Sequence, residues 1–399
     1  MSVPELFYSS AMIGTLVFER PDWAASLKDA LSQVPRPVRV ISPCVGLNAP
    51  ERAARELQMP WESTGDFEIN PAVLPALEAF TEKPQVLHVG RRGGNVCNVA
   101  LEDLDMSTDG IVSGPPCPPF SAMGKRLCEL DNRSSVFVAV CTWIIHLATF
   151  GVLKFFVLEN VEGIVRKRKQ NSESFAEWFI RQILGDLPKG VEIKAQHANS
   201  IDFCLPQSGP RVLFVGTCGA MRRTSFQRRV LDMPLKTHER IDIIHFLDHE
   251  PNEQDFQRLS LRQQVNVLEQ MDEMAKDEEK RRSQHLTTTV AICDIARDPS
   301  SKVDSARRFG STNTLRTNNS HLWILPSAEW QAVFGRKGRL LKWQEKCRVA
   351  GIVPNSLQGM KPSDIDIAIG NTIPVSMIGS ILCPIFRAWI QSARVVDLD

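Results

Sequence analysis

The stretch Gly110–Ser121 reads GIVSGPPCPPFS, and it is the most informative part of the chain. The short apolar run Gly110-Ile111-Val112 predicts a buried strand, and a proline-rich loop that carries Cys117 follows it. Because proline fixes φ and removes a backbone donor, this loop is expected to be rigid. A thiol held on a rigid loop directly after a buried strand is placed for chemistry more than for packing. Cys117 is therefore the first candidate for a functional residue.

Around this stretch, short apolar strands alternate with helices, which indicates an α/β fold with a mostly parallel sheet. The predicted strands cover residues 38–41, 86–89, 110–112, 155–158 and 212–215, and the predicted helices cover residues 49–57, 136–150 and 175–184. The apolar run 136–153 has the composition of a buried helix that leads into a strand, and we expect it not to span a membrane.

The alternation stops after Gly216, where the chain becomes polar and rich in charge. Residues 254–284 predict one long solvated helix, and residues 300–320 predict a loop. The chain closes with a helix over residues 375–393, which we expect to be kinked or broken at Pro384. These changes predict an N-terminal extension with a short helix at 23–31, two domains and a C-terminal return, with boundaries at 1–35, 36–216, 217–355 and 356–399.

Composition limits the possible functions. The chain has 399 residues, 43% of them hydrophobic and 23% charged, as is ordinary for a globular protein. Its net charge of +1 provides no global attraction for nucleic acid, so any such binding must depend on local patches. The ten cysteines form no CxxC pair, which argues against a zinc site and suits a reducing compartment. His245 and His249 lack an obvious third ligand, so we expect no metal, and the first residues show no signal-peptide pattern.

Further segments carry polar residues in a definite order along the chain. They are LENV at residues 158–161, PQSGPRV at 206–212, RLLKWQEKCR at 339–348, GNTIPV at 370–375, and the pair Asp131 and Arg133 after the cysteine loop. Together with GPPCPPFS, they resemble the motifs of the C5 cytosine-specific DNA methyltransferase family, in that family's order. The resemblance covers roughly residues 38–216 and 336–385.

The resemblance implies a Rossmann-like, S-adenosylmethionine-dependent methyltransferase fold with a smaller target-recognition domain inserted at 217–355. It also implies three catalytic residues. The Cys117 thiolate would add to C6 of cytosine and make C5 nucleophilic, which is covalent catalysis. Glu159 would bind N3 and the exocyclic amine, and Arg211 would hold the carbonyl oxygen. The base would have to leave the helix stack to reach them.

The resemblance further implies S-adenosylmethionine as the cofactor and assigns residues to it. Glu68 would bind the ribose hydroxyls and Asn95 would face the adenine amine. The other residues implied for the cofactor site come from the loop at 42–47, the cysteine loop and the closing motif, and they are Val45, Gly46, Pro116, Asn371 and Val375.

This chain departs from the family pattern at several positions. Ser42 replaces an aromatic residue that would stack on adenine, and Cys44 replaces a glycine, so we expect weaker cofactor binding than is usual in the family. The remaining replacements put Asn95 where an Asp is usual, Pro118 where a Gln is usual and Gly209 where an Arg is usual.

Two alternatives stay open from sequence alone. The chain could be a member of the fold that binds nucleic acid or S-adenosylmethionine without turnover, or an RNA cytosine methyltransferase with the same chemistry. Each motif also has an ordinary structural explanation, since Glu-Asn after a strand is usually a turn or helix cap. We expect a monomer that binds DNA, with RNA as the other substrate, and no membrane. We expect it in the nucleus, or in the cytoplasm or nucleoid of a prokaryote.

Overall fold

The computed structural model describes residues 36–80, 87–117, 134–167, 173–218, 241–284, 289–296, 308–315 and 321–396. The predicted helix at 23–31, the pair Asp131 and Arg133, and Pro118 lie outside the described residues. So does most of the predicted loop at 300–320.

The first half of the chain forms a seven-stranded sheet in the order β3-β2-β1-β4-β5-β8-β6. Its neighbouring strands are parallel from β3 to β5, whereas β8 is antiparallel to both β5 and β6. The strands of this sheet are β1 Val38–Pro43, β2 Trp61–Glu68, β3 Leu87–Val89, β4 Gly110–Ser113, β5 Phe155–Val161, β6 Glu192–Asn199 and β8 Pro210–Thr217. The short strand β7 Gln207–Ser208 lies outside it. The predicted mostly parallel sheet is confirmed, and β2 and β6 are strands that the sequence analysis missed.

Helices cover both faces of this sheet. Along β5, Phe155 and Val157 pack into one hydrophobic cluster, and Phe156 and Leu158 pack into the other. Successive side chains of a strand point to opposite faces, so an uninterrupted apolar run is what a doubly covered strand requires. The helices of this half are α1 Ala49–Glu56, α2 Leu74–Phe80, α3 Gly90–Gly93, α4 Ser134–Thr149 and α5 Phe175–Asp186. The predicted helix at 136–150 is α4, and Trp143 on it is fully buried.

The polar segment after residue 240 builds a second, smaller sheet in the order β10-β9-β12-β13. Its strands are antiparallel neighbours. A further strand, β11, pairs in parallel with β7 in a separate two-stranded sheet, which connects this segment to the chain just before β8. These strands are β9 Ala291–Asp294, β10 Arg308–Phe309, β11 Thr312–Asn313, β12 Leu322–Leu325 and β13 Arg339–Leu340.

The predicted single helix at 254–284 is wrong in two respects. The structure has two helices there, α6 Glu253–Arg258 and α7 Leu261–Ser283, separated at Leu259 and Ser260. The second helix is also not fully solvated, because Val267 and Met274 are buried against the smaller sheet. The remaining helices of this segment are α8 Gln331–Phe334 and α9 Trp343–Val349.

The chain returns to the larger sheet through α10 Pro362–Gly370 and α11 Val375–Val396. The helix α11 is continuous with Pro384 inside it, so the chain is not broken there, and the kink that the sequence predicts stays a prediction. Proline removes one main-chain hydrogen bond, and the neighbouring side chains of Leu382 and Phe386 are fully buried. The segment Pro362–Ile390 is long and apolar enough to cross a membrane, but 89% of its most apolar window is buried inside the fold.

Candidate active site

The carboxyl ends of the parallel strands meet at one edge of the larger sheet, and a cavity of about 280 Å³ opens there. Open α/β sheets bind ligands at this edge. The cavity is lined by residues that the sequence analysis assigned to catalysis and to cofactor binding, namely Cys117, Glu159, Arg211, Glu68, Asn95, Pro116 and Asn371. Seven of the ten predicted site residues therefore surround one space.

Glu159 and Arg211 form an ion pair inside this cavity. Glu159 lies near the end of β5 and Arg211 lies at the start of the antiparallel strand β8, so both side chains reach the same edge. The Nε atom of Arg211 is 2.6 Å from Oε1 of Glu159, and the two side chains are 9% and 12% exposed. Burial raises the pKa of the Glu159 carboxyl, and the Arg211 guanidinium partly offsets that rise. The pair presents a carboxyl group that can hold a proton next to a fixed cation.

The Cys117 loop is attached to the strand that carries Glu159. The buried Asn160 amide donates from Nδ2 to the carbonyl oxygen of Pro115, at 3.2 Å. Gly114 faces Glu159 closely, since a Cβ atom at that position would lie 3.4 Å from Oε2 of the carboxyl. The cysteine, the carboxyl and the guanidinium thus line the same cavity on three adjacent strands.

On the opposite side of the cavity, Glu68 lies at the end of β2. Its Oε2 accepts a hydrogen bond from the Gly46 N–H, and its Oε1 accepts one from the Asn70 N–H, both at 2.9 Å. Burial raises the pKa of Glu68, and these backbone donors act in the opposite direction. Asn95 accepts from the Cys97 N–H through Oδ1 at 3.1 Å. Both side chains line the cavity, and their roles toward ribose and adenine stay predictions.

Three predicted cofactor residues do not line the cavity. Val45 is buried, and its N–H donates to the carbonyl of Phe67 at 2.9 Å. Gly46 has a φ of +55° and lies against Asn371 and Thr372 of the closing motif. Val375 begins α11 and belongs to the hydrophobic core. These residues lie next to the residues that line the cavity, and their contact with a cofactor stays a prediction.

The departures from the family pattern have structural consequences. Cys44, which replaces a glycine, has a φ of +59°, a left-handed conformation that glycine adopts at least cost. Ser42 is fully buried and does not line the cavity, because its hydroxyl lies against Asp66 of the neighbouring strand. Cofactor binding weaker than is usual in the family, which the replacement at position 42 implies, stays a prediction. Gly209 leaves little room for a longer side chain, since a Cβ atom would lie 2.9 Å from the Ser200 hydroxyl.

Sequence reasoning missed other residues of the cavity. Gly94 is required there, because a Cβ atom would lie only 1.9 Å from the carbonyl oxygen of Glu68. The Gly93-Gly94 pair was the available signal, since adjacent glycines often mark a close backbone approach. Ile69, directly after Glu68, lines the cavity and is 51% exposed, as an apolar residue that covers a ligand would be.

The sheet order, with one antiparallel strand and a site at the carboxyl edge, defines the fold of the Rossmann-like, S-adenosylmethionine-dependent methyltransferases. The model of the C-5 cytosine-specific DNA methylase family matches residues 88–387, and the chain belongs to this family, whose methyl donor is S-adenosylmethionine.

Individual relatives agree with this assignment. The chain is 36% identical over 117 residues to the Type II methyltransferase M.DdeI of Desulfomicrobium norvegicum, a match that covers 29% of this chain and 26% of that protein. It is 27% identical over 128 residues to the human tRNA (cytosine(38)-C(5))-methyltransferase, covering 32% of this chain and 31% of that protein. The chain thus spans about a third or less of the length of either relative.

A solved structure extends the likeness to most of the fold. The crystal structure of the S. pombe Dnmt2 methyltransferase superposes with a TM-score of 0.56 at 16% identity, over 88% of this chain and 99% of that one.

Proposed function

We propose that this chain is a DNA (cytosine-5-)-methyltransferase that transfers a methyl group from S-adenosylmethionine to C5 of a flipped cytosine. The observation that carries the proposal is the single cavity lined by Cys117, Glu159 and Arg211 on one side and by Glu68 and Asn95 on the other. A nucleophile, an acid and an anchoring cation are the groups that this reaction needs next to a bound methyl donor.

The proposed reaction follows from the chemistry of these side chains. The Cys117 thiolate adds to C6 of cytosine, and Glu159 donates a proton to N3 as negative charge develops on the ring. The raised pKa of Glu159 favours the protonated form that can donate. Arg211 holds the carbonyl oxygen and keeps Glu159 in place through the 2.6 Å contact. C5 gains the methyl group as the bond from the methyl carbon to the donor sulfur breaks. C5 then loses its proton to water, the C6–S bond breaks to release the Cys117 thiolate, and N3 returns its proton to Glu159.

The residues on the cofactor side fit S-adenosylmethionine, which supplies an electrophilic methyl group when bound. Glu68 presents a carboxylate for ribose hydroxyls and is held by two backbone N–H groups. Gly94 lets its own backbone approach the Glu68 backbone closely, where any side chain would clash with the Glu68 carbonyl. Asn95 and Asn371 supply polar groups at the rim of the same cavity.

A second candidate function is methylation of cytosine C5 in RNA. The observation that favours it is the likeness to the human tRNA methyltransferase over 128 residues. We favour DNA because the matching family model is that of the DNA methylases. With DNA as the partner, we place the protein in a nucleus, or in the nucleoid of a prokaryote, as a monomer that acts away from membranes.

The proposal is tested with tritiated S-adenosylmethionine, offered with genomic DNA and with total RNA. We expect label in 5-methylcytosine of DNA from the wild-type protein and none from Cys117→Ser. Label in RNA alone would replace DNA by RNA as the substrate. Binding of S-adenosylhomocysteine without label in either polymer would favour the non-catalytic alternative.

A further inference from the structure

The hydroxyl of Ser113 connects the start of the Cys117 loop to the turn at residues 43–46. Ser113 is the last residue of β4, and its side chain is buried. Its Oγ donates to the carbonyl oxygen of Pro43, the last residue of β1, at 2.6 Å. The Cys44 thiol, one residue further, lies next to the same hydroxyl, which lowers its pKa, but burial is the larger influence and raises the pKa of Cys44.

The segment from Ser113 to Cys117 is stiff. Two of the three residues between them are Pro115 and Pro116, whose φ angles are fixed by the ring. The Asn160 amide holds the carbonyl of Pro115 from the neighbouring strand. A change in the position of Ser113 is therefore passed on to Cys117, because the short segment between them has little freedom to absorb it.

The turn on the other side of the link is fixed to the cofactor side of the cavity. Cys44 lines the cavity in a left-handed conformation, and Val45 donates its N–H to the carbonyl of Phe67. Gly46 then donates its N–H to Glu68. Hydrogen bonds thus connect Glu68, the turn at residues 43–46, Ser113 and the loop of the nucleophile.

We propose that Ser113 is a positioning residue that holds the Cys117 loop in register with the turn at residues 43–46, so that the nucleophile and the cofactor side of the cavity stay aligned. The catalytic part of this inference rests on the proposed function. A purely structural hydroxyl would stabilise the fold without affecting the placement of Cys117.

The chain offers a matched control for that distinction. The hydroxyls of Thr64 and Thr108 are buried and hydrogen-bonded to each other at 2.8 Å. Thr108 lies just before β4, at the opposite edge of the sheet from Ser113. Thr108→Val therefore removes a buried hydrogen bond of the same kind far from the cavity, whereas Ser113→Ala removes the bridge itself.

The first measurement follows the Cys117 thiol directly, through its rate of alkylation by iodoacetamide, read by peptide mass spectrometry. We expect Ser113→Ala to change this rate at least about threefold, and to weaken S-adenosylhomocysteine binding about fivefold by calorimetry, the size of effect that loss of one hydrogen bond produces. Single-turnover methyl transfer should fall by roughly tenfold, because misplacement of reacting groups is costly. Thr108→Val should lower only the melting temperature.

Cys44→Ala provides a second test of the same link. If both side chains act through one bridge, Ser113→Ala combined with Cys44→Ala should weaken S-adenosylhomocysteine binding no more than the stronger single change. Equal alkylation rates and equal affinities in Ser113→Ala and Thr108→Val would overturn the inference. If the wild-type protein methylates no nucleic acid, the proposed function fails, but the alkylation rates still decide whether Ser113 positions Cys117.

Discussion

At the scale of single residues, the proposed chemistry depends on whether the Glu159 carboxyl holds a proton. Burial favours the protonated carboxyl, and Arg211 favours the ionised one. Because burial and Arg211 act in opposite directions, Glu159 can donate a proton to a bound ring while the contact with Arg211 keeps its orientation fixed. The sequence could predict both residues from their motifs, but their contact depends on the antiparallel pairing of β5 and β8, which no local pattern encodes.

Glu159→Gln should therefore lower the rate of methyl transfer far more than it lowers affinity for nucleic acid. Loss of a general acid typically costs about a hundredfold or more in rate, because the bond to the ring strengthens as charge develops. The comparison is between kcat and the dissociation constant, with Glu162→Gln as the control, since Glu162 lies in the next turn and is well exposed. Equal losses in rate and binding would show that Glu159 is only a binding or structural residue.

At the scale of elements, β1, β2 and α1 enclose a polar cluster under the cofactor side of the cavity. Ser42 of β1 and Asp66 of β2 are direct neighbours in the sheet. Asn48, at the start of α1, donates through Nδ2 to Glu51 at 2.7 Å and to Asp66 at 3.5 Å. Burial, and then the charge of Glu51, raise the pKa of Asp66 to about 7.

This cluster makes stability depend on pH. The ordinary pKa of an aspartate is 3.8 and the folded value is about 7, so the folded state binds the proton more tightly. Stability from this group is present below pH 4 and is lost as the pH rises to about 7, by roughly 4 kcal/mol for a shift of about three units. Asp66→Asn should remove that loss. Urea unfolding at pH 5 and pH 8 measures it, with the exposed Asp103→Asn as the control, and an unchanged pH dependence in Asp66→Asn would contradict the assignment.

The strands and helices also show which parts of the fold can be predicted from the sequence. The strands β4, β5 and β8 were predicted because burial on both faces gives them uninterrupted apolar runs, and β1 was predicted because Val38, Val40 and Ile41 surround its single charged residue. Strand β2 was missed because it carries the polar side chains of the cluster, and β6 because it is a half-exposed edge strand. The start of α7 is marked in the sequence, since Ser260 and Gln263 form a capping box.

Part of the site could also be predicted from the sequence. Motifs placed Cys117, Glu159 and Glu68 at strand ends, and parallel strands bring such ends to one edge. The roles of Ser113 and Gly94, and the burial of Ser42, depend on contacts between segments far apart in sequence. No spacing in the sequence indicates those contacts.

At the scale of the whole molecule, a buried ion pair stabilises the polar segment after residue 240. Arg339 and Glu345 are both fully buried and paired at 2.6 Å. Arg339 also donates to the backbone carbonyls of Asp248 and Glu250. These bonds fix strand β13 to the residues that precede α6. Strand β11 adds a second connection by pairing with β7, close to Arg211. The buried pair holds the segment after residue 240 together, and the pairing of β11 with β7 connects that segment to the chain that leads into β8.

Glu345→Gln should destabilise the protein strongly, because it leaves the Arg339 charge buried without a counter-charge. Breaking one side of a buried pair typically costs about 3–5 kcal/mol in the free energy of unfolding. Chemical denaturation of Glu345→Gln, with the exposed Glu329→Gln as its control, measures the effect. A loss below about 1 kcal/mol would mean that this pair does not hold the segment after residue 240 together.

The most direct test of the central claim, that Cys117 attacks a cytosine ring, is trapping on DNA that contains 5-fluorocytosine in the presence of S-adenosylmethionine. Fluorine at C5 cannot leave as a proton does, so the adduct should persist after methyl transfer. We predict that wild-type protein forms a denaturant-resistant complex with this DNA, that mass spectrometry places the bond at Cys117, and that Cys117→Ser forms none. Absence of a complex with 5-fluorocytosine in both DNA and RNA, or a complex that persists in Cys117→Ser, would contradict the account.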